Sequence, residues 1–323
     1  MMWVAWRQQR VQILLSLALI AVVAVVIAYV HFDAVAQLRD HGIEGCHTVD
    51  ENRCAAAAMS AFASRYETYA SVMPLVLLCL PVLLGTFGGA PLFAREFEQG
   101  THVFVLSQSV ARERWWMVKV IVAGLPVVLA LIILGLVSAW GMSPLSFVTH
   151  GRMMTPGFET QGVVVGAYAV VAFAIGTTAG ILSRNTVVAM ASTILLYLLL
   201  LMGVAGVVRA NYLEPVERRG FVAEGAAIGA EGGRSIVPND AWRVGSSYFD
   251  ATGAEVSFDP SSCRNSDRSI DACLQRQGIV SLSARFHPDE HFWSFQYIES
   301  AIFATIGVAL LAAGSWRLRR RPL

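Results

Sequence analysis

Six stretches of about 20 predominantly apolar residues, each long enough to cross a hydrocarbon layer, constrain this chain more than any other feature. They run over 11–30, 70–93, 120–139, 162–182, 186–208 and 297–316, and the first, third, fourth and fifth carry no charged residue. In lipid, backbone N–H and C=O groups must find partners within the segment, so the spanning form is helical. The expected fold class is an all-α polytopic membrane protein with six transmembrane helices. The second stretch contains Pro74, Pro81, Pro91, Gly85, Gly88 and Gly89, which predicts a kinked or broken helix there, with Pro81 a candidate functional position inside the membrane. The sixth carries Glu299 near its start. A carboxylate there either faces water, a partner or a pathway, or snorkels to the interface.

Of the 323 residues, 55% are hydrophobic and 15% charged, and the formal net charge is +1. Ordinary soluble domains carry roughly 25% charged residues. Disordered, collagen-like and basic nucleic-acid-binding chains are excluded, so no nucleic-acid partner is expected. Arg7 and Arg10 before an apolar run, with Ala34-Val35-Ala36 after it, have the order of a signal peptide. The run exceeds the roughly 7–15 residues of a signal core and is kept as a span.

With six spans, segments 1–10, 94–119, 183–185 and 317–323 share one side, holding eleven basic against three acidic residues, a balance of +8. The remainder holds 13 basic and 20 acidic residues, a balance of −7. Short basic segments stay inside, so both termini are expected in the cytoplasm and loops 31–69, 140–161 and 209–296 outside. Residues 1–323 then form one transmembrane domain, and 209–296 a loop subdomain between spans five and six. A strand is expected at 255–258, a short helix at 270–277, and poor order over 220–234, where Gly220, Gly225, Gly229, Gly232 and Gly233 cluster.

Cys46 and Cys54 fall in the first outer loop and Cys263 and Cys273 in the last. Disulfides persist in oxidising compartments, which suggests one staple per loop, with cross-pairing between loops open because connectivity is not readable from sequence. Cys79, inside the second span, is expected as an apolar packer.

No phosphate loop, nucleophile elbow, zinc helix or dinucleotide turn is present, and no catalytic residue is expected. In His287-Pro288-Asp289-Glu290-His291 a helical turn would put both histidines on one face, but a third ligand is missing; the plainer reading is a polar loop, with no metal. Gly162-x-x-x-Gly166 and Gly176-x-x-x-Gly180 predict close helix approach, within the chain or across a seam between copies. Trp3, Trp6, Trp115 and Trp116 are placed to anchor spans at lipid headgroups, with Arg7 and Arg10 toward water or lipid phosphate.

The strongest local signal is Ala94-Arg95-Glu96-Phe97-Glu98-Gln99-Gly100-Thr101, a charged, helix-compatible stretch stopped by Gly100 and followed by Ser107-Gln108-Ser109. It is expected to lie against the inner membrane surface or a cytoplasmic partner. Together with Trp6-Arg7-Gln8 before the first span and Phe292-Trp293-Ser294-Phe295-Gln296-Tyr297-Ile298-Glu299 opening the sixth, it resembles the bacterial type-2 ABC transporter permeases over nearly the whole chain. The resemblance implies an exporter's membrane subunit in the bacterial cytoplasmic membrane. Two copies of a separate ATPase would bind ATP and Mg, and a second permease, another copy or a paralogue, would complete the route. It implies a coupling helix in which Arg95, Glu96, Phe97, Glu98 and Gln99 touch the ATPase, with Arg7 and Gln8 on an interfacial N-terminal helix nearby. Two other classes stay open: a secondary transporter or channel, against which the spans hold few ionisable groups, and an ATPase-linked sensor that moves no solute.

Overall fold

The computed structural model describes residues 2–43, 56–100, 111–146, 148, 151–224, 226–227, 234–238, 240–263 and 270–320. Six helices long and apolar enough to cross a membrane coincide with the six sequence stretches. Helix α1 spans Met2–Asp40. No glycine or proline occurs between these bounds, so nothing interrupts its hydrogen-bond ladder. Residues 2–10, expected as an interfacial helix, are therefore the first turns of the span itself. Gly42 at φ +63° stops the helix, and the Ile43 N–H turns back to the Leu38 carbonyl at 3.0 Å.

The second span is α2, Ala56–Leu84, a π turn at Gly85–Gly89, and α3, Ala90–Glu98. Pro74 and Pro81 lie inside α2, and the expected break takes the form of a widened turn, not a gap. The Gln12 side chain of α1 donates to the Phe87 carbonyl at 2.6 Å, satisfying a group in the widened turn. One correction follows for residues 94–99. They are not a separate surface-lying helix but the end of the second span's rod, with Leu92, Phe93 and Ala94 buried in the bundle.

Helices α4, Arg112–Gly141, α5, Val164–Ser183, and α6, Thr186–Gly203, follow. A π turn at Val204–Val208 and a 3-10 turn at Arg209–Asn211 extend α6. Helix α5 is the hub: 83% of its apolar window is buried, against 22–39% for the other five spans. Its small residues allow this. A Cβ on Gly180 would sit 2.6 Å from the Ala90 carbonyl oxygen, one on Gly176 would strike the Gly85 carbonyl, and one on Gly162 would meet Gln296 of the last helix at 2.5 Å. Both Gly-x-x-x-Gly pairs are thus filled by this chain's own elements, which answers the seam between copies left open above. Cys79 is exposed on α2, contrary to the expected packing role.

Between α6 and the last helix the chain builds a sheet, which corrects the all-α expectation. The strands are β1 Val216–Phe221, β2 Ala226–Ala227, β3 Arg234–Ser235, β4 Trp242–Phe249, β5 Glu255–Val256 and β6 Ser281–His287, with helix α7 at Ile270–Arg276 before β6. Four of them form an antiparallel sheet in the order β1-β6-β4-β5, and β2 pairs with β3. On β6 the apolar side chains Leu282, Ala284 and Phe286 share one face and are buried, and Ser283 and His287 on the other face are buried too. Leu282 joins Val222, Leu274 and Ile279 in a separate small core. Cys263 and Cys273 are bonded, joining α7 to the turn before it. Cys46 and Cys54 lie outside the described residues. Of the stretch 220–234, Gly220 and Phe221 belong to β1, paired with Leu282 and Ser281, while 225 and 228–233 lie outside the described residues. Helix α8, Phe292–Arg320, closes the bundle.

A methyl group has no room at Gly176 but nothing lies within 4 Å of one at Gly203. Gly176→Ala is expected to cost about 1–3 kcal/mol, read as a lower Tm of the purified chain in detergent. Gly203→Ala is expected to be neutral or stabilising by up to about 1 kcal/mol, and equal loss in both would contradict the packing described.

Candidate functional site

The end of α3 lies at the same end of the bundle as both termini. Leu92 and Phe93 pack with Trp115 and Trp116 of α4 and with Leu318 of α8, and Arg319 of α8 pairs with Glu113 of α4. Arg95, Glu98 and Gln99 are exposed, and Glu96 and Phe97 half-buried. The two carboxylates are committed within the chain. Glu96 pairs with Lys119 of α4, whose ammonium is almost completely buried and stands 5.0 Å from the Trp115 ring centroid and 5.9 Å from that of Phe93. Glu98 accepts from the Thr186 backbone N–H at 2.8 Å and the Thr186 hydroxyl at 2.7 Å. It thereby satisfies a free amide at the positive end of α6, which Asn185 also caps through Val188 N–H at 3.0 Å. The Arg184 guanidinium lies 5.6 Å from the Phe97 ring. Arg7 and Gln8 are exposed on α1; Arg7 stands over Trp3 at 5.2 Å, and the bond from α1 to the second span comes from Gln12 instead.

At the opposite end of the bundle, Glu299 anchors a buried ion cluster. It is 0% exposed and Arg209 is 1% exposed, so the snorkelling alternative does not hold. The Arg209 Nε donates to Glu299 at 2.9 Å and its Nη2 at 2.7 Å, while Nη1 donates to Glu159 at 2.6 Å. Tyr168 of α5 also donates to Glu299, as does Tyr212 at 3.1 Å, and Thr155 donates to Glu159 at 2.8 Å. The Phe158 ring lies 4.2 Å from the guanidinium carbon. One cation is thus shared by two carboxylates from different segments, bridging the loop before α5, the end of α6, and α8. Glu159 and Arg209 counted above as loop charges, and their partners 50 and 90 residues apart leave no local sign in the sequence.

Pro81 is buried inside α2 and makes no polar contact with either site. Among the described residues no group of three or more His, Cys, Asp or Glu side chains that could hold a metal ion occurs around His287 and His291 or elsewhere. His287 bonds the Ala210 carbonyl through Nε2 at 3.1 Å, and Asp289 instead holds Arg152 through two bonds, at 2.7 and 2.5 Å. Burial pushes the His287 imidazole below the usual histidine range, against the upward pull of its bond to Ala210.

A family model described as ABC-2 membrane transporter related matches residues 17–209. The match takes in α3, Lys119, Thr186, Glu159 and Arg209, and leaves the sheet and α8 outside. Neither the curated proteins nor the solved structures yielded a match.

Removing one side of the ion cluster leaves buried charge unpaired. Arg209→Leu is expected to destabilise the chain by about 3–5 kcal/mol, with a smaller loss for Glu299→Gln, both measured by thermal unfolding in detergent. For His287, the depressed value means that the folded state favours the neutral ring. Its contribution is fully present above the ordinary value of about 6.5 and is lost as pH falls through the lower folded value. The Tm should therefore drop as pH falls from about 6.5 to the lower folded value and level off below it, with a shallower slope in His287→Gln; parallel slopes would contradict this assignment.

Proposed function

The chain belongs to the ABC-2 membrane transporter related family, and on that basis we propose that it is the permease subunit of a bacterial ABC exporter. In this reading it lies in the cytoplasmic membrane with both termini inside, where the short segments are rich in arginine. ATP and Mg bind on a separate ATPase, present in two copies, because the chain itself has no phosphate loop. A second permease, either another copy or a paralogue, completes the route.

The observation that carries the reading is the end of α3. Arg95 and Gln99 are exposed at the tip of the second span, while Glu96 and Glu98 tie that tip to α4 and α6. A partner docking there would meet a guanidinium and an amide on a firmly held support. Closure of the two ATPase subunits around ATP would displace α3 and bias the membrane helices between inward-open and outward-facing arrangements, a rigid-body switch. A second reading, an ATPase-linked sensor that moves no solute, is favoured by the sheet, which has its own hydrophobic core and lies outside the family match.

Co-expression with ABC ATPase subunits tests both. The wild-type chain is expected to retain an ATPase through purification, and Arg95→Glu/Gln99→Ala to weaken retention at least about tenfold, equivalent to ~1.4 kcal/mol. Failure of the wild type to retain any ATPase would overturn the permease reading. ATP turnover in sealed vesicles without ATP-dependent solute movement would favour the sensor.

A further inference from the structure

Resting on the permease reading, we propose that Lys119 and Thr186 are positioning residues for ATP-driven movement: Lys119 is buried beneath the α3 tip, and Thr186 is engaged by Glu98. They convert a displacement of α3 into movement of two different spans, α4 and α6. Glu96 and Glu98 act through them, rather than as contacts to the ATPase.

The two connections are built differently. Lys119 is 3% exposed in the first turns of α4, so its ammonium has lost most of its hydration. The Glu96 carboxylate and the aromatic faces of Trp115 and Phe93 replace it. Separating a buried pair strands a charge in a medium that cannot solvate it, so α3 and α4 move together at this point. The bond to α6 is end-on. Both Glu98 oxygens accept from Thr186, the first residue of the helix, and the carboxylate faces the positive end of the helix dipole. A pull on Glu98 is therefore directed at the start of α6.

Helix α6 buries one narrow face, Ala189, Thr193, Tyr197 and Leu201, along its length. An 18-residue helix is about 27 Å long, and its continuation through a π turn leads to Arg209, which holds Glu159 and Glu299. Thr186 and Arg209 thus fix the two ends of one rod. What starts at the α3 tip arrives at the ion cluster and at α8. Lys119 gives α4 a parallel but separate connection.

The decisive comparison separates retention of the ATPase from stimulation of its turnover. In the purified permease–ATPase complex reconstituted in lipid nanodiscs, co-purification and permease-dependent stimulation of ATP turnover are measured side by side. Thr186→Val and the double variant Glu96→Gln/Lys119→Met, which leaves no unpaired buried charge, are expected to keep wild-type retention of the ATPase. Both should lose stimulation about fivefold, and Thr186→Ser, which restores the hydroxyl donor, should recover it. If Thr186→Val and Glu96→Gln/Lys119→Met match the wild type in turnover, the proposal fails; if Glu96→Gln/Lys119→Met or Glu98→Gln loses retention of the ATPase, the carboxylate contacts the partner directly and the proposal fails as well. If the wild-type chain retains no ATPase, the permease reading itself fails, and this inference falls with it.

Discussion

The close approach of backbone to backbone between α5 and the second span is the constraint on which the rest of the structure depends. Lipid tails are as apolar as leucine, so helices in a bilayer gain little from hydrophobic burial against each other. They gain from dispersion at short range, and only small residues permit that range. Gly176 and Gly180 let α5 reach the π turn and the start of α3. Seated there, α3 can bring Glu96 to Lys119 and Glu98 to Thr186. Large residues at these glycines would push the second span outward and take both carboxylates away from their partners.

A second consequence concerns charge. A buried guanidinium or ammonium is tolerable only where donors and acceptors meet at good geometry. Such geometry needs rigid supports. Lys119 sits among the aromatic rings that also form the core at the end holding the termini, and Arg209 lies against Phe158. Polar fidelity at each end of the bundle is therefore a product of the apolar packing around it, and the glycine contacts of α5 underlie both.

Much of this architecture was legible in the sequence because it is written locally. The six spans follow from runs of apolar residues, and the stop at Gly100 from its position after a charged turn; it has φ +66°. A staple between Cys263 and Cys273, ten residues apart, is one of the pairings the sequence leaves open, and the structure joins these two. What stayed hidden depends on distant partners. Lys119 reads as one more cation at a span boundary until Glu96, 23 residues earlier, is folded against it. Strand β1, Val-Glu-Arg-Arg-Gly-Phe, lies at the sheet edge and exposes most of its residues, so it shows no apolar face and resembles a polar loop. Glu299 announced an unusual site, but nothing in the chain announced that Arg209, Glu159, Tyr168 and Tyr212 would converge on it.

The ion cluster also bears on how the molecule can be divided. Arg209 closes the family-matched region, yet two of its strongest bonds go to Glu299, beyond the sheet. A core of five spans cut free at that point would expose an orphaned guanidinium where water is scarce, with Glu159 as its remaining counter-charge. The sheet and final helix are consequently no detachable appendage. The boundary by which the chain is classified is not a boundary along which it can be taken apart.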